Sequence, residues 1–206
     1  MGTDDQREHA SQDSTLALFG RRRTVNRLQA PGPSPQELAL MLGAADQAPD
    51  HGVRRPWRFT VVDEATAHLF GAVLERAYIR SCVEQDEPVV PALVVRERAR
   101  PHKAPTLVVA ACKPSGTDRI PAHEQRDATA AAVQNMLLAA TMLGYGSKWS
   151  SGPPIPDSIL LEEIGMPPGA SLVGFIYIGT ATTMPPARTR GRDLSGIAQK
   201  WELLPS

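Results

Sequence analysis

Three stretches of the chain carry apolar patterns of the kind that build strands. Trp57–Asp63 (WRFTVVD) is the first, and Leu172–Gly179 (LVGFIYIG) is the last. Between them Pro105–Ala111 (PTLVVAA) is a near-continuous apolar run, the pattern of a strand buried on both faces. Elsewhere the apolar residues recur at helical spacing. Ser34-Pro35-Gln36-Glu37 opens one helix: Ser34 caps it, Pro35 suits the first position and Glu37 completes a capping box. Leu38, Met41, Leu42 and Ala45 then share one face, and Pro49 ends the element. Asp63 is placed to cap a second helix running through Ala77, with Leu69, Phe70, Val73 and Leu74 apolar. Ala128–Leu143 is the strongest helical pattern, with Val133, Met136, Leu137 and Ala140 on one face and Gly144 to end it. Shorter helices are expected around Ala92–Ala99 and over 155–164, the latter closed by Gly165, with one or two helical turns over Ser14–Gly20. Residues 113–123 read as a loop, and so does the Gly-rich run Gly144–Gly152. Alternating helices and strands predict an α/β or α+β domain.

The ends of the chain differ from this body. Residues 1–13 are polar and acidic and read as a disordered tail. After Thr180 the sequence is rich in Pro and Arg, which suits an extended arm anchored at its end by Trp201, Leu203 and Leu204. The expectation is a single folded unit over 14–206, which agrees with a total of 206 residues.

Composition narrows the function. Hydrophobic residues are 42% of the chain, enough for a sizeable core. Lys+Arg and Asp+Glu are both 22, so bulk charge does not support nucleic acid or an anionic membrane as partner. The balance is local, however: residues 20–60 carry net +4 and residues 185–206 net +2, against net −3 over 1–19 and net −3 over 61–184. Most of the positive charge is Arg, 18 residues against 4 Lys, and guanidinium forks suit phosphate and carboxylate. The two cysteines, Cys82 and Cys112, are far apart with no CxxC pair, which excludes a disulfide framework and a structural zinc site; Cys112 reads as a small buried hydrophobe. No apolar leader opens the chain, and the greasiest run, Met136–Leu143, is too short to span a bilayer. A soluble cytoplasmic protein is the expectation.

The candidate chemistry sits in breaks between elements. Arg22-Arg23-Thr24, with Arg27 near, offers forks and a hydroxyl for a phosphate, or else a solvated basic turn. Arg188-Thr189-Arg190, with Arg192 beyond, repeats that character far away in sequence. Pro49-Asp50-His51-Gly52 falls where a helix stops; His51 is a candidate base or hydrogen-bond partner, or one half of an Asp-His turn pair. Glu124 is either a pocket carboxylate or a solvated loop acid. The run Gly144–Gly152, with Trp149 and three hydroxyls, can cradle a flat ring or a phosphate but has neither Walker nor GxGxxG spacing. GxSxG and HExxH motifs are absent as well.

In order and spacing, these pieces resemble the nitroreductase family of FMN enzymes, specifically its short NAD(P)H nitroreductase branch. The residues that carry the resemblance are Arg22-Arg23-Thr24, Ala48-Pro49-Asp50-His51, Pro56-Trp57, the Ala-rich run Ala131–Ala140, Leu143-Gly144-Tyr145-Gly146, Trp149-Ser150-Ser151-Gly152, Leu172-Val173-Gly174-Phe175, Ile178-Gly179-Thr180 and Arg188-x-Arg190. The resemblance covers about Ser14 to Arg192. It implies an α+β fold, a central sheet flanked by helices, in an intertwined homodimer with FMN at the interface. It places Arg22, Thr24, Arg188 and Arg190 on the FMN phosphate and Arg23 along the ribityl chain. Pro49, Asp50 and His51 would approach from the partner subunit with Gln47 close, while Trp149, Ser150 and Ser151 line the other side. Five positions depart from the family pattern: Thr24 stands for Ser, Val53 and Arg55 for Asn and Gln, Asn26 for a Lys near the isoalloxazine carbonyl, and Ser150 for an Arg after Trp149. Arg23 and Arg27 are then the candidate donors near flavin N1 and O2.

The implied reaction is ping-pong hydride transfer from the co-substrate NAD(P)H through FMN to a small acceptor such as a nitroaromatic, quinone or enone. No protein nucleophile and no metal ligand are called for. Residues 78–104, the part least like the family, are expected to cover the pocket and set the acceptor. Two other readings fit the residues: a flavin-dependent biosynthetic oxidase or dehydrogenase passing electrons to oxygen, and a non-catalytic anion binder using the Arg blocks.

Overall fold

The computed structural model describes residues 16–115, 119–187 and 196–201. Five strands form one antiparallel sheet: β1 (Leu28–Gln29), β2 (Trp57–Val62), β3 (Thr106–Cys112), β4 (Gly146–Ser150) and β5 (Ser171–Ala181). β5 is the hub. It pairs with β3 along one edge and β4 along the other, while its last residues take β1. β2 closes the far side against β3. All seven residues of β3 are buried, as its unbroken apolar run requires.

Period-two alternation gives each face of the sheet its own core. Leu107, Val109, Phe175 and Tyr177 point to one face and pack with Leu74, Ala77, Tyr78, Ile159 and Leu160. Those partners come from α2 (Ala67–Glu84) and α5 (Asp157–Glu163). Val108, Ala110, Ile176 and Ile178 point to the other face and meet Met41, Ala45, Val133, Met136 and Leu137. These belong to α1 (Pro35–Asp46) and α4 (Ala122–Met142). The remaining helix is α3 (Pro91–Ala99), continued by a 3-10 turn over Arg100–Lys103. The fold is therefore the expected α+β sheet between helices, and Cys112 is buried within it.

Local chemistry sets most boundaries as the sequence implied. Ser34 and Glu37 form the capping box of α1, and Gly144 and Gly165 adopt positive φ (87° and 74°) where helices stop. Residues 16–21 are helical. Four expectations are corrected. Asp63 does not cap α2; it receives the Thr66 N–H and hydroxyl (2.9 and 2.6 Å) in a turn, and α2 begins later and runs longer, to Glu84. α4 begins at Ala122, so the expected loop over 113–123 is shorter. The Gly-rich run after Gly144 contains strand β4, because β5 offers it a free edge. Trp201 is 78% exposed and is not packed into the core among the described residues; Leu203 and Leu204 lie outside the described residues, as does the tail over 1–13.

Candidate functional site

The first basic block lies beside β4. The Arg22 N–H donates to the Leu18 carbonyl (3.0 Å), so Arg21 to Arg23 sit at the carbonyl end of the helical residues 16–21. A helix C-terminus favours cations and repels anions, so any anion held there relies on the side chains themselves. Thr24 bridges to Ser147 in parallel, and the Val25 N–H donates to the Ser147 carbonyl (2.9 Å). Arg23 Nη1 donates to the Pro186 carbonyl at 2.9 Å, joining positions 163 residues apart. Pro186 is two residues before Arg188. Arg188, Arg190 and Arg192 themselves lie outside the described residues.

Trp149 and Ser150 are on β4 and Ser151 follows it. The Trp149 indole donates to the Val173 carbonyl (3.1 Å) and crosses β5 at Gly174. A Cβ on Gly174 would lie 2.2 Å from Trp149 Nε1, and Gly174 sits at φ 155°, so only glycine admits the indole here.

A cavity of about 40 Å³ opens where Asn26, Lys148, Ser150 and Tyr177 meet Arg100 and Lys103 of the 3-10 turn. It holds a functional group, not a whole cofactor. Lys148 Nζ donates to Asn26 Oδ1 at 3.0 Å and has no carboxylate partner among the described residues. Partial burial, followed by the nearby Arg100 cation, pushes the Lys103 ammonium below its ordinary range. The buried Tyr177 hydroxyl lies close to Arg100 without meeting hydrogen-bonding geometry, and burial raises its pKa. The cavity therefore presents two ammonium groups, a guanidinium and a hydroxyl donor, a set suited to an anionic or electron-rich ligand edge.

The second cluster is built by the turn after α1. Gln47 follows α1 as its C-cap, Pro49 and His51 are exposed, and Asp50 is half-buried. Gly52, Val53 and Arg55 all take positive φ (73°, 52° and 47°). Asp50 Oδ2 accepts the Arg55 N–H at 2.5 Å, which holds that conformation. His51 Nδ1 lies 2.9 Å from Glu124 Oε2 in the first turn of α4. His51 thus pairs with Glu124 and not with Asp50, and Glu124 is a helix-start residue instead of a loop acid.

The fold keeps the two clusters apart. Ser147 is level with Ile178 on β5, whereas Trp57, which ends the second cluster's turn, is level with Ser171 through Cys112. Seven residues along β5 and three strand spacings across the sheet separate them by roughly 25 Å. Within one chain the structure therefore sets Arg23 and Thr24 beside β4, places the Trp149 indole on the opposite face of that strand from Lys148 and Ser150, and leaves Gln47 to His51 elsewhere.

Sequence reasoning missed Arg100, Lys103 and Tyr177. Lys148 carries no signal of its own, because Gly144–Gly152 reads as a turn. Alternation along a strand would have put Lys148 and Ser150 on one face. Among the described residues no group of three or more His, Cys, Asp or Glu side chains is placed to hold a metal ion, and no helix is long and apolar enough to cross a membrane.

Comparison with known proteins bears on this site. The Nitroreductase family model matches residues 20–180. The Escherichia coli K12 protein named "Putative NAD(P)H nitroreductase YdjA" is 32% identical over 165 residues, covering 80% of this chain and 87% of that protein. Among solved structures, a nitroreductase-like family protein from Bacillus cereus superposes with a TM-score of 0.71 at 21% identity, covering 91% of this chain and 95% of its own. An FMN-dependent nitroreductase from Clostridium difficile gives 0.66 at 18% identity, covering 89% and 98%.

Proposed function

The chain belongs to the nitroreductase family, and from that membership together with the site we propose that it is an FMN-dependent NAD(P)H oxidoreductase that reduces a small acceptor. The observation that carries the reading is the Arg23 to Pro186 hydrogen bond, which ties the chain two residues before Arg188 to the N-terminal basic block. Arg22, Thr24, Arg188 and Arg190 would hold the FMN phosphate, with Arg23 along the ribityl chain. Trp149, Ser150 and Ser151 would line one side of the ring. FMN, when bound, supplies a ring that takes hydride from NAD(P)H and passes two electrons to the acceptor.

The cationic cavity fits that cofactor. Asn26 stands where longer relatives place a Lys, and the structure sets the Lys148 ammonium on Asn26. Lys148 and Arg100, in place of Arg23 and Arg27, would thus provide the positive charge at the N1 and O2 edge. Preorganised charge there favours the ring when it carries added electrons. Pro49, Asp50 and His51, roughly 25 Å away in the same chain, would close the site from a second copy, giving an intertwined homodimer with two shared sites. NAD(P)H and the acceptor would occupy one pocket in turn, in ping-pong order. Nitroaromatics, quinones and enones are the acceptor classes to assay. Because Arg100 and Lys103, in the turn after α3, line the cationic cavity, residues 78–104 would help select among them.

A visible spectrum followed by anaerobic titration tests the reading. Purified protein is expected to be yellow and to bleach on addition of NADH or NADPH. Colourless protein that takes up no FMN sinks it, and yellow protein that neither nucleotide bleaches favours the oxidase alternative.

A further inference from the structure

One wall of the cationic cavity has a partner behind it that the proposed reaction does not use. Glu97, on the last turn of α3, is fully buried, and a lone carboxylate at such a position would be strongly disfavoured. It is satisfied by two guanidinium groups. Arg100 donates to it through Nη2 at 2.7 Å and through Nε, and Arg96 donates through Nε at 2.9 Å. Arg100 is itself buried and faces the cavity. Arg96 is half exposed, and no ion pair other than that with Glu97 is seen for it among the described residues. The cavity's cations are therefore unequal. Arg100 has a carboxylate directly behind it, whereas Lys148 and Lys103 face the cavity with none.

We propose that Glu97 is a positioning residue that fixes the Arg100 guanidinium at the cavity and offsets part of its charge, so setting the reduction potential of the bound flavin. This rests on the FMN reading above. A cation beside the N1 and O2 edge stabilises the ring carrying two added electrons more than the oxidised ring, and so raises the potential. A carboxylate one guanidinium away weakens that preference. The bidentate contact also removes the rotational freedom that Arg100 would otherwise have. Arg96 shares the Glu97 charge and so lets more of the Arg100 charge act on the cavity.

The test is the midpoint potential of bound FMN, measured by anaerobic titration against reference dyes in the wild-type holoprotein, Glu97→Gln and Arg96→Gln. Glu97→Gln should raise the preference for reduced over oxidised flavin about tenfold, about 30 mV for a two-electron couple. Arg96→Gln should shift it by a smaller amount in the opposite direction. FMN-loaded variants with wild-type potentials overturn the inference while leaving the function intact. If Glu97→Gln does not accumulate as folded protein, Arg96→Gln decides: a lowered potential supports the inference, and an unchanged one overturns it. Wild-type protein that takes up no FMN overturns the functional reading and this inference with it.

Discussion

The corner around β4 and the turn after α1 are both rich in charge, yet they treat charge in opposite ways. In the turn, charged groups answer one another: His51 meets Glu124, Asp50 takes the Arg55 N–H, and Arg55 lies 3.8 Å from Asp46. Around β4, among the described residues, Lys148 meets an amide and no carboxylate, and Arg100 meets a carboxylate that it shares with Arg96. A cluster that satisfies itself presents a shaped surface. A cluster with surplus cations is organised to receive an anion. Under the proposed function the two would be complementary halves of one site, which a second copy would bring together.

The comparison can be broken most severely at Gly174. Gly174→Val puts carbon where the Trp149 indole lies, and overpacking of this kind costs about 3 kcal/mol. Urea unfolding should show that loss, together with increased exposure of Trp149 by fluorescence. Next come two arginines proposed to hold FMN. Arg23→Ala or Arg190→Ala should each weaken FMN binding by about 10- to 100-fold, the scale of one charge-assisted hydrogen bond. Unchanged FMN occupancy in Arg190→Ala counts against convergence of the two basic blocks.

The shared-site idea is sharpened by mixing. Arg23→Ala and His51→Ala homodimers should each lose FMN occupancy. A heterodimer of the two variants rebuilds one intact site and should regain part of the flavin colour. Heterodimers no better than either parent would mean that both residues serve the same site from the same chain.

Acid separates the clusters more gently. Although burial alone would raise it, the Glu97 carboxyl is held below its ordinary value by Arg100 and Arg96. A lowered folded pKa gives stabilisation that is present above the unfolded value, about 4.3, and lost as pH falls through the lower folded value. Arg96→Gln should therefore lose stability relative to wild type at neutral pH, and that gap should narrow on acidification. The smallest effect belongs to the exposed His51–Glu124 pair. Glu124→Gln should change stability by less than about 1 kcal/mol, because solvent screens such pairs.

The architecture was largely legible because burial leaves a periodic trace. β3 reads as an apolar run, α1 as a capping box with an apolar stripe, and α4 as an Ala-rich face. What escaped were elements whose residues are polar or few. β4 reads Gly-Ser-Lys-Trp-Ser and has no propensity of its own; it is a strand because β5 presents a free edge. β1 is two residues long for the same reason. The site was half legible. Arg22 to Thr24, Asp50–His51 and Trp149–Ser151 announce themselves as local motifs. Arg100 and Lys148 are 48 residues apart and become neighbours only through the register of β4 on β5 and the turn before β3.

The sequence by itself determined the helices with an apolar face and the three apolar strands, where two basic blocks lie, and which family motifs they belong to. Those properties depend on neighbours within a few residues, through caps, periodicity and composition. Only the tertiary structure decided that Arg23 reaches Pro186, that Lys148 takes up the position beside Asn26, and that the turn at His51 lies far from both. Contacts of that kind depend on strand order and register, which are set by packing two apolar faces against helices and leave no local trace in the chain.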